Sequence, residues 1–211
     1  VAPDDILIAY FGLISPSKGL HVLLDALTKL PTRFRLVVVG GEATQPQDRA
    51  YAAEIRQRIE DRGMRERVML TGHCTAEEVS AHLLAADQAA LPFTDGASFR
   101  RGSLIAALAH GVPVVTTTDD RRPTTNQPSD AHRSSLIVHR LEDGENVLLI
   151  PPNDTAALAL MIERLAGDAA LRVRLGAGGR ALGGQFSWER IAEQHEQLYT
   201  QLLAPTYGVR R

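Results

Sequence analysis

A single cysteine, Cys74, in 211 residues excludes an intramolecular disulfide and any cysteine-based zinc site, and it fits a reducing compartment. The formal net charge of −2 removes any general electrostatic reason to bind nucleic acid. No apolar run approaches the roughly 20 residues needed to cross a bilayer, and the N-terminus lacks a signal-peptide pattern. His21, His82, His132, His139 and His195 show no metal-ligand spacing, so no metal site is expected. No Gly-x-Gly-x-x-Gly follows the first apolar run, which argues against a dinucleotide site, and there is no internal repeat or heptad array.

What is present is an ordinary globular composition, 44% hydrophobic and 23% charged, in a chain long enough for one large domain. Short apolar runs alternate with helical spacing. Ile6 to Tyr10 precedes Leu20, Leu23, Leu24, Leu27 and Leu30, which recur on one helical face. Leu36 to Val39 is continuous and β-branched, as a strand buried on both faces of a parallel sheet requires. An amphipathic helix within Gln45 to Arg62, a strand Val68 to Thr71, a helix Ala76 to Ala85 and a strand Gln88 to Pro92 continue the pattern. The fold class is therefore α/β, a doubly wound parallel sheet with helices on both faces.

The most informative stretch is Leu91 to Val115, LPFTDGASFRRGSLIAALAHGVPVV. A Gly-containing loop with two arginines, Arg100 and Arg101, leads into a helix opening at Gly102-Ser103, before a second strand, Val112 to Thr116. Free N–H groups at a helix start favour negative charge, so this pattern points to a phosphate-bearing ligand. Beyond it the polar, proline-containing stretch Thr117 to Ser135 reads as a mobile loop near the ligand edge, either a surface insertion or a lid. Asp154 and Asp168 are expected N-caps, and Trp188 to Leu203 a last helix.

The same stretch resembles the donor-binding motif of the family 4 (group 1) retaining glycosyltransferases. That motif ends Glu-Ala-Met-Ala-x-Gly-x-Pro-Val-Val, matched here by Ala107-Leu108-Ala109-His110-Gly111-Val112-Pro113-Val114-Val115. Its two glutamates fall on Ser98 and Ala106. Tyr10 to Gly19 resembles the family's Gly-Arg-Leu-x-x-x-Lys-Gly loop, keeping Lys18 but with Leu13 at the arginine. Leu36 to Gly41, Val68 to Gly72, Val147 to Asp154 and Phe186-Ser187-Trp188 also fall in register.

The resemblance implies the C-terminal, donor-binding half of a GT-B fold over residues 1–211, with the N-terminal acceptor domain missing; the start at Val1 reads as a domain excised from a longer protein. It implies a metal-independent glycosyltransferase with no cofactor, whose donor is a nucleotide diphosphate sugar. The isolated domain is expected to transfer little alone. Expected catalytic residues are Lys18, Arg100, Arg101 and Ser98, one arginine standing in for the cation missing at Leu13. Expected donor contacts are Gly12, Lys18, Gly72, His73, Phe99, Gly102, Ser103 and Leu104, with His73 either near the nucleobase or a solvated loop residue and His110 structural. The acceptor is left open between a glycan, a lipid-linked intermediate and a small molecule. The implied location is the cytoplasm, free or peripheral at the inner membrane face. Two alternatives remain: a noncatalytic GT-B relative that binds a nucleotide or phosphosugar, and an unrelated doubly wound domain.

Overall fold

The structure, a computed structural model, describes residues 2–41, 45–118 and 140–203. In chain order the elements are β1 (Ile6–Phe11), α1 (Leu20–Leu27), β2 (Phe34–Val39), α2 (Pro46–Asp61), β3 (Val68–Gly72), α3 (Ala76–Ala85), β4 (Gln88–Leu91), α4 (Gly102–Ala109), β5 (Val114–Thr117), β6 (Leu148–Ile150), α5 (Thr155–Gly167), α6 (Ala169–Gly183) and α7 (Trp188–Leu203). The strands form one parallel sheet in the order β3-β2-β1-β4-β5-β6.

Successive strand residues point to opposite faces of the sheet, and the helices are sorted onto the two faces. Ile8, Tyr10, Leu36, Val38, Val115 and Ile150 point to the side covered by Leu23 and Leu27 of α1, Ile55 of α2 and Leu158 and Ile162 of α5. Ala9, Val37, Val39, Leu91 and Val114 face Leu83 of α3 and Leu104 and Leu108 of α4. Each fully buried leucine or isoleucine contributes roughly 1.5–3 kcal/mol, so these faces dominate the stability. The small residues of α6 let it lie close on α4: a Cβ at Gly183 would stand 2.5 Å from the Ala109 nitrogen.

Several boundaries follow from backbone chemistry that hydropathy does not report. The fourth strand stops at Leu91 because Pro92 has no N–H to continue the ladder. Val112, expected in the fifth strand, instead closes α4: its N–H bonds the Ala107 carbonyl at 3.2 Å while Gly111, at φ 70°, bonds Leu108 at 2.8 Å. Thr117, expected to begin the mobile loop, is the buried last residue of β5, and its hydroxyl donates to the Phe93 carbonyl at 2.9 Å. Thr118 follows it with its N–H donating to the Ile150 carbonyl at 2.9 Å, and residues 119 to 135 of that expected loop lie outside the described residues. Asp154 and Asp168 do cap α5 and α6, accepting from Ala157 and Leu171 at 2.8 and 2.9 Å. The last helix, α7, spans the residues expected and buries none of them, leaving Trp188, Tyr199 and Leu202 exposed.

Candidate functional site

The strand order reverses direction between β1 and β4, and in doubly wound sheets ligands occupy the crevice beyond the carboxyl ends of the strands at that point. Here the crevice is a cleft of about 620 Å³. Phe11, Gly12 and Leu13 line it after β1, Gly40 and Gly41 after β2, and His73 and Cys74 after β3. Ala76, Val79 and Ser80 of α3 form one wall; Gly102, Ser103, Ala106 and the cap His110 form the α4 wall; Lys18 closes the end. No carboxylate lines it among the described residues. A depression along α7 is lined by Glu193, Glu196 and uncharged polar groups, with no cation and no buried donor.

Three close contacts between loops hold Lys18 in place. It ends a short 3-10 turn, Pro16–Lys18, and is followed by Gly19 at φ 72°. A side chain on Gly19 would overlap the Pro92 carbonyl, so glycine is what allows this turn to lie on the end of β4. Thr94 reinforces the contact, its N–H donating to the Ser17 carbonyl at 3.1 Å. The β1 and β2 loops are tied as well, Ile14 N–H to the Gly41 carbonyl at 3.1 Å. Lys18 is thereby half-buried with its ammonium 5.2 Å from the Phe93 ring centroid. Burial, then the Arg101 charge, lower its pKa from the ordinary lysine value, opposed by Asp95. Tyr10, behind the loop, is raised well above the ordinary phenol range by burial, and its hydroxyl donates to the Leu13 carbonyl at 3.3 Å.

The start of α4 supplies donors. Arg101 is its N-cap and offers no capping side-chain acceptor. The Gly102 and Ser103 N–H groups have no acceptor among the described residues, whereas the Leu104 N–H is taken by the Arg101 carbonyl at 3.0 Å. The Ser103 hydroxyl is buried without a partner. It faces Gly12, lying 3.8 Å from where a Cβ on that residue would stand. The Arg101 guanidinium folds back over Phe93, 4.5 Å from the ring centroid, and pairs with Asp95.

Of the residues expected from sequence, Gly12, Lys18, His73, Gly102 and Ser103 meet in this cleft. Gly72 is the exposed last residue of β3, at φ 73°, just before His73. Arg101 sits one residue behind the wall. Arg100 is exposed and Ser98 half-buried, and neither lines the cleft. Leu104 is a correction: its side chain is wholly buried in the core and its N–H is already bonded, so it has nothing to offer a ligand. Phe99 does not line the cleft; its ring stacks on Phe186 at 4.8 Å between centroids, joining the motif loop to the segment before α7. His110 does more than fill space. Its Nδ1–H donates to the Ala106 carbonyl at 2.7 Å, leaving Nε2 to accept from the Ser80 hydroxyl at 2.8 Å, and both side chains line the cleft. Ala106 and His110 could have been found by continuing the helical period of four from Gly102. Among the described residues no three His, Cys, Asp or Glu side chains gather as a metal-binding group.

Comparison with known proteins identifies the family and the fold. Residues 5–168 match the family Glycosyl transferases group 1. A D-inositol 3-phosphate glycosyltransferase from Xylanimonas cellulosilytica is 31% identical over 94% of the chain and 43% of its own length. The chain thus spans less than half of that relative. A sucrose-phosphate synthase from Thermosynechococcus elongatus superposes with a TM-score of 0.76 at 30% identity, over 97% of this chain and 47% of that one. The crystal structure of HepE from Anabaena in complex with UDP superposes at 0.75 and 22% identity, over 94% and 49%, a likeness of fold. The chain belongs to the group 1 glycosyltransferases.

Proposed function

We propose that this chain is the donor-binding domain of a retaining glycosyltransferase that transfers a glycosyl group from a nucleotide diphosphate sugar. One observation carries the reading. An ammonium, two unpaired N–H groups and a buried, unpartnered hydroxyl converge at the switch-point cleft from Lys18, Gly102 and Ser103, with no carboxylate among the described lining residues. HepE in complex with UDP and with UDP-glucose supports it as an analogy of fold.

The chemistry follows from the leaving group. As the bond from the anomeric carbon to the diphosphate oxygen breaks, its electron pair goes to the diphosphate, and charge grows on oxygens beside Lys18 and the α4 start. Donors already fixed in place stabilise that charge without reorganising. Lys18 and the helix start do here what a divalent ion does elsewhere. In the rest of the proposal, the nucleoside extends along Gly40, Gly41 and His73, and the acceptor, a glycan, lipid-linked or small molecule, is read by a domain beyond this chain. The whole protein then works in the cytoplasm, free or peripheral at the inner membrane face; no helix of the described residues is long and apolar enough to cross a membrane.

A second reading, a noncatalytic nucleotide-binding relative, is favoured by Ala106, which lines the cleft with no side-chain hydrogen-bonding atom. Titration calorimetry against UDP, GDP, ADP and TDP with a chelator present tests binding; turnover of the corresponding sugar nucleotide by the full-length protein separates the two readings. Lys18→Ala is expected to weaken the bound nucleotide about 10- to 100-fold, the worth of one charge-assisted hydrogen bond of roughly 1.5–3 kcal/mol. Unchanged affinity in that variant would overturn the placement of the diphosphate.

A further inference from the structure

One phenol hydroxyl holds the helix that follows Lys18. The α1 helix opens at Gly19, a residue with no side chain to cap it, so its first N–H groups need partners from elsewhere. Tyr51 of α2 supplies one from 30 positions away: its hydroxyl oxygen accepts the His21 N–H at 3.1 Å. The same hydroxyl lies 2.7 Å from His21 Nδ1, with the two rings edge to face at 5.8 Å. Its one proton is given to Nδ1 of a neutral imidazole, which satisfies both partners. Tyr51 is 8% exposed and His21 half-buried. The charged groups facing the imidazole are Arg58 and Glu54 of α2 and Asp25 of its own helix; Arg58 pairs with Glu54 at 2.8 Å, and Arg62 with Asp25. The α5 helix, which also packs on α1, buries only apolar side chains. These carboxylates and guanidiniums balance one another and leave no charge over to balance an imidazolium. Burial, then the Arg58 charge, lower the His21 pKa below the ordinary histidine value, opposed by Asp25 and Glu54.

We propose that Tyr51 and His21 are positioning residues for Lys18, one hydroxyl pinning the first turn of α1 while the imidazole is neutral and releasing it when mild acid protonates the ring. The proposal rests on the donor-binding reading and adds a control on it from outside the cleft. Lys18 stands three residues before His21, joined to it by Gly19 and Leu20, so a shift in the first turn of α1 is passed to the ammonium. A proton taken from solvent by Nδ1 turns that atom from acceptor to donor. The hydroxyl then faces two donors, Nδ1–H and the His21 N–H, and its own proton loses its acceptor. An unpaired buried donor and an unbalanced cation both disfavour the packed arrangement. The sign follows from linkage. Because packing lowers its pKa, His21 takes up a proton more readily when the contact between α1 and α2 is open, so the contact is favoured above the ordinary value of 6.5 and weakens as pH falls below it.

The test is calorimetry of the whole chain against UDP, GDP, ADP and TDP between about pH 7.5 and 5.5, with Tyr51→Phe, His21→Ala and His21→Asn alongside and urea unfolding at each pH. Protonation of the nucleotide itself is common to wild type and variants and cancels in the comparison. At neutral pH Tyr51→Phe and His21→Ala are expected to bind about three- to tenfold more weakly than wild type, and His21→Asn, whose amide oxygen takes the place of Nδ1, to recover most of that loss. On acidification wild type is expected to lose about three- to tenfold more affinity than any of the variants, none of which couples an imidazole to the hydroxyl. A pair that only stabilises the fold would lower the urea midpoint when broken and leave the affinity of the folded chain and its pH response as in wild type; that pattern overturns the proposal. If Tyr51→Phe does not fold, the pH response of His21→Asn decides by itself. Wild-type chain that binds no nucleoside diphosphate overturns the donor-binding reading and this proposal with it, whereas wild-type binding with the same pH response in the variants overturns this proposal alone.

Discussion

Replacing Gly19 by alanine is expected to damage stability and ligand binding together, because one backbone position serves both. Gly19 has φ 72°, a conformation that costs an L-residue about 1 kcal/mol or more. Its new Cβ would also overlap the Pro92 carbonyl oxygen and stand 2.9 Å from the carbonyl carbon, tighter than ordinary van der Waals contact. Pro92 belongs to the backbone leaving β4 and has no rotamer through which to yield. The turn carrying Lys18 must move instead, straining the Thr94 to Ser17 hydrogen bond of 3.1 Å. Overpacking of this kind costs typically 1–3 kcal/mol, giving about 2–4 kcal/mol in all. That is a large part of the 5–15 kcal/mol that holds a typical domain. Urea unfolding monitored by circular dichroism gives the first quantity, and calorimetry with the bound nucleoside diphosphate the second. If Gly19→Ala unfolds at the wild-type midpoint, the close approach is absent in solution and the argument for how Lys18 is positioned fails. If stability drops but affinity does not, Lys18 is not a ligand.

Three further outcomes are expected. The lowered Lys18 pKa means that the unfolded chain binds its proton more tightly, so between the folded value and 10.5 the stability of the ligand-free chain rises with pH, while diphosphate affinity falls as the ammonium is lost; both slopes are expected to shrink in Lys18→Met, as paired urea and calorimetric titrations would show. Phe99→Ala and Phe186→Ala are each expected to destabilise by about 1–3 kcal/mol, with a coupling of roughly 0.5–1.5 kcal/mol in the double-mutant cycle because the rings stack at 4.8 Å; zero coupling would show that the stack is not formed. Gly183→Ala places a methyl 2.5 Å from the Ala109 nitrogen, so α6 and α4 must separate at a cost of about 1–3 kcal/mol, read as a lower thermal midpoint.

The chain wrote some of this openly and some not at all. Leu23 and Leu27 on one helical face, the β-branched run before Gly40, the carboxylates of Asp154 and Asp168 and the small residues opening α4 are local patterns, each fixed by neighbours within a few positions. They suffice for the alternation of strands and helices, for the two caps and for a cation, Lys18, before a helix. Distant pairings left no such trace. That Arg101 and not Arg100 stands beside Lys18 depends on Phe93 being buried where two loops meet, and sequence presents the two arginines as equals. Phe99 looks like a free motif side chain until Phe186, 87 positions later, is brought against it. Leu104 is adjacent to the helix start in sequence yet turns into the core, because one helical step of about 100° separates a lining residue from a buried one. The sequence by itself determined the elements and the residue types available for anion binding, since backbone propensity and burial period are short-range. The strand order β3-β2-β1-β4-β5-β6, the cleft it opens between β1 and β4, and the choice of which donors remain unpaired there were decided by tertiary structure, because only packing brings chain ends tens of residues apart to a single point.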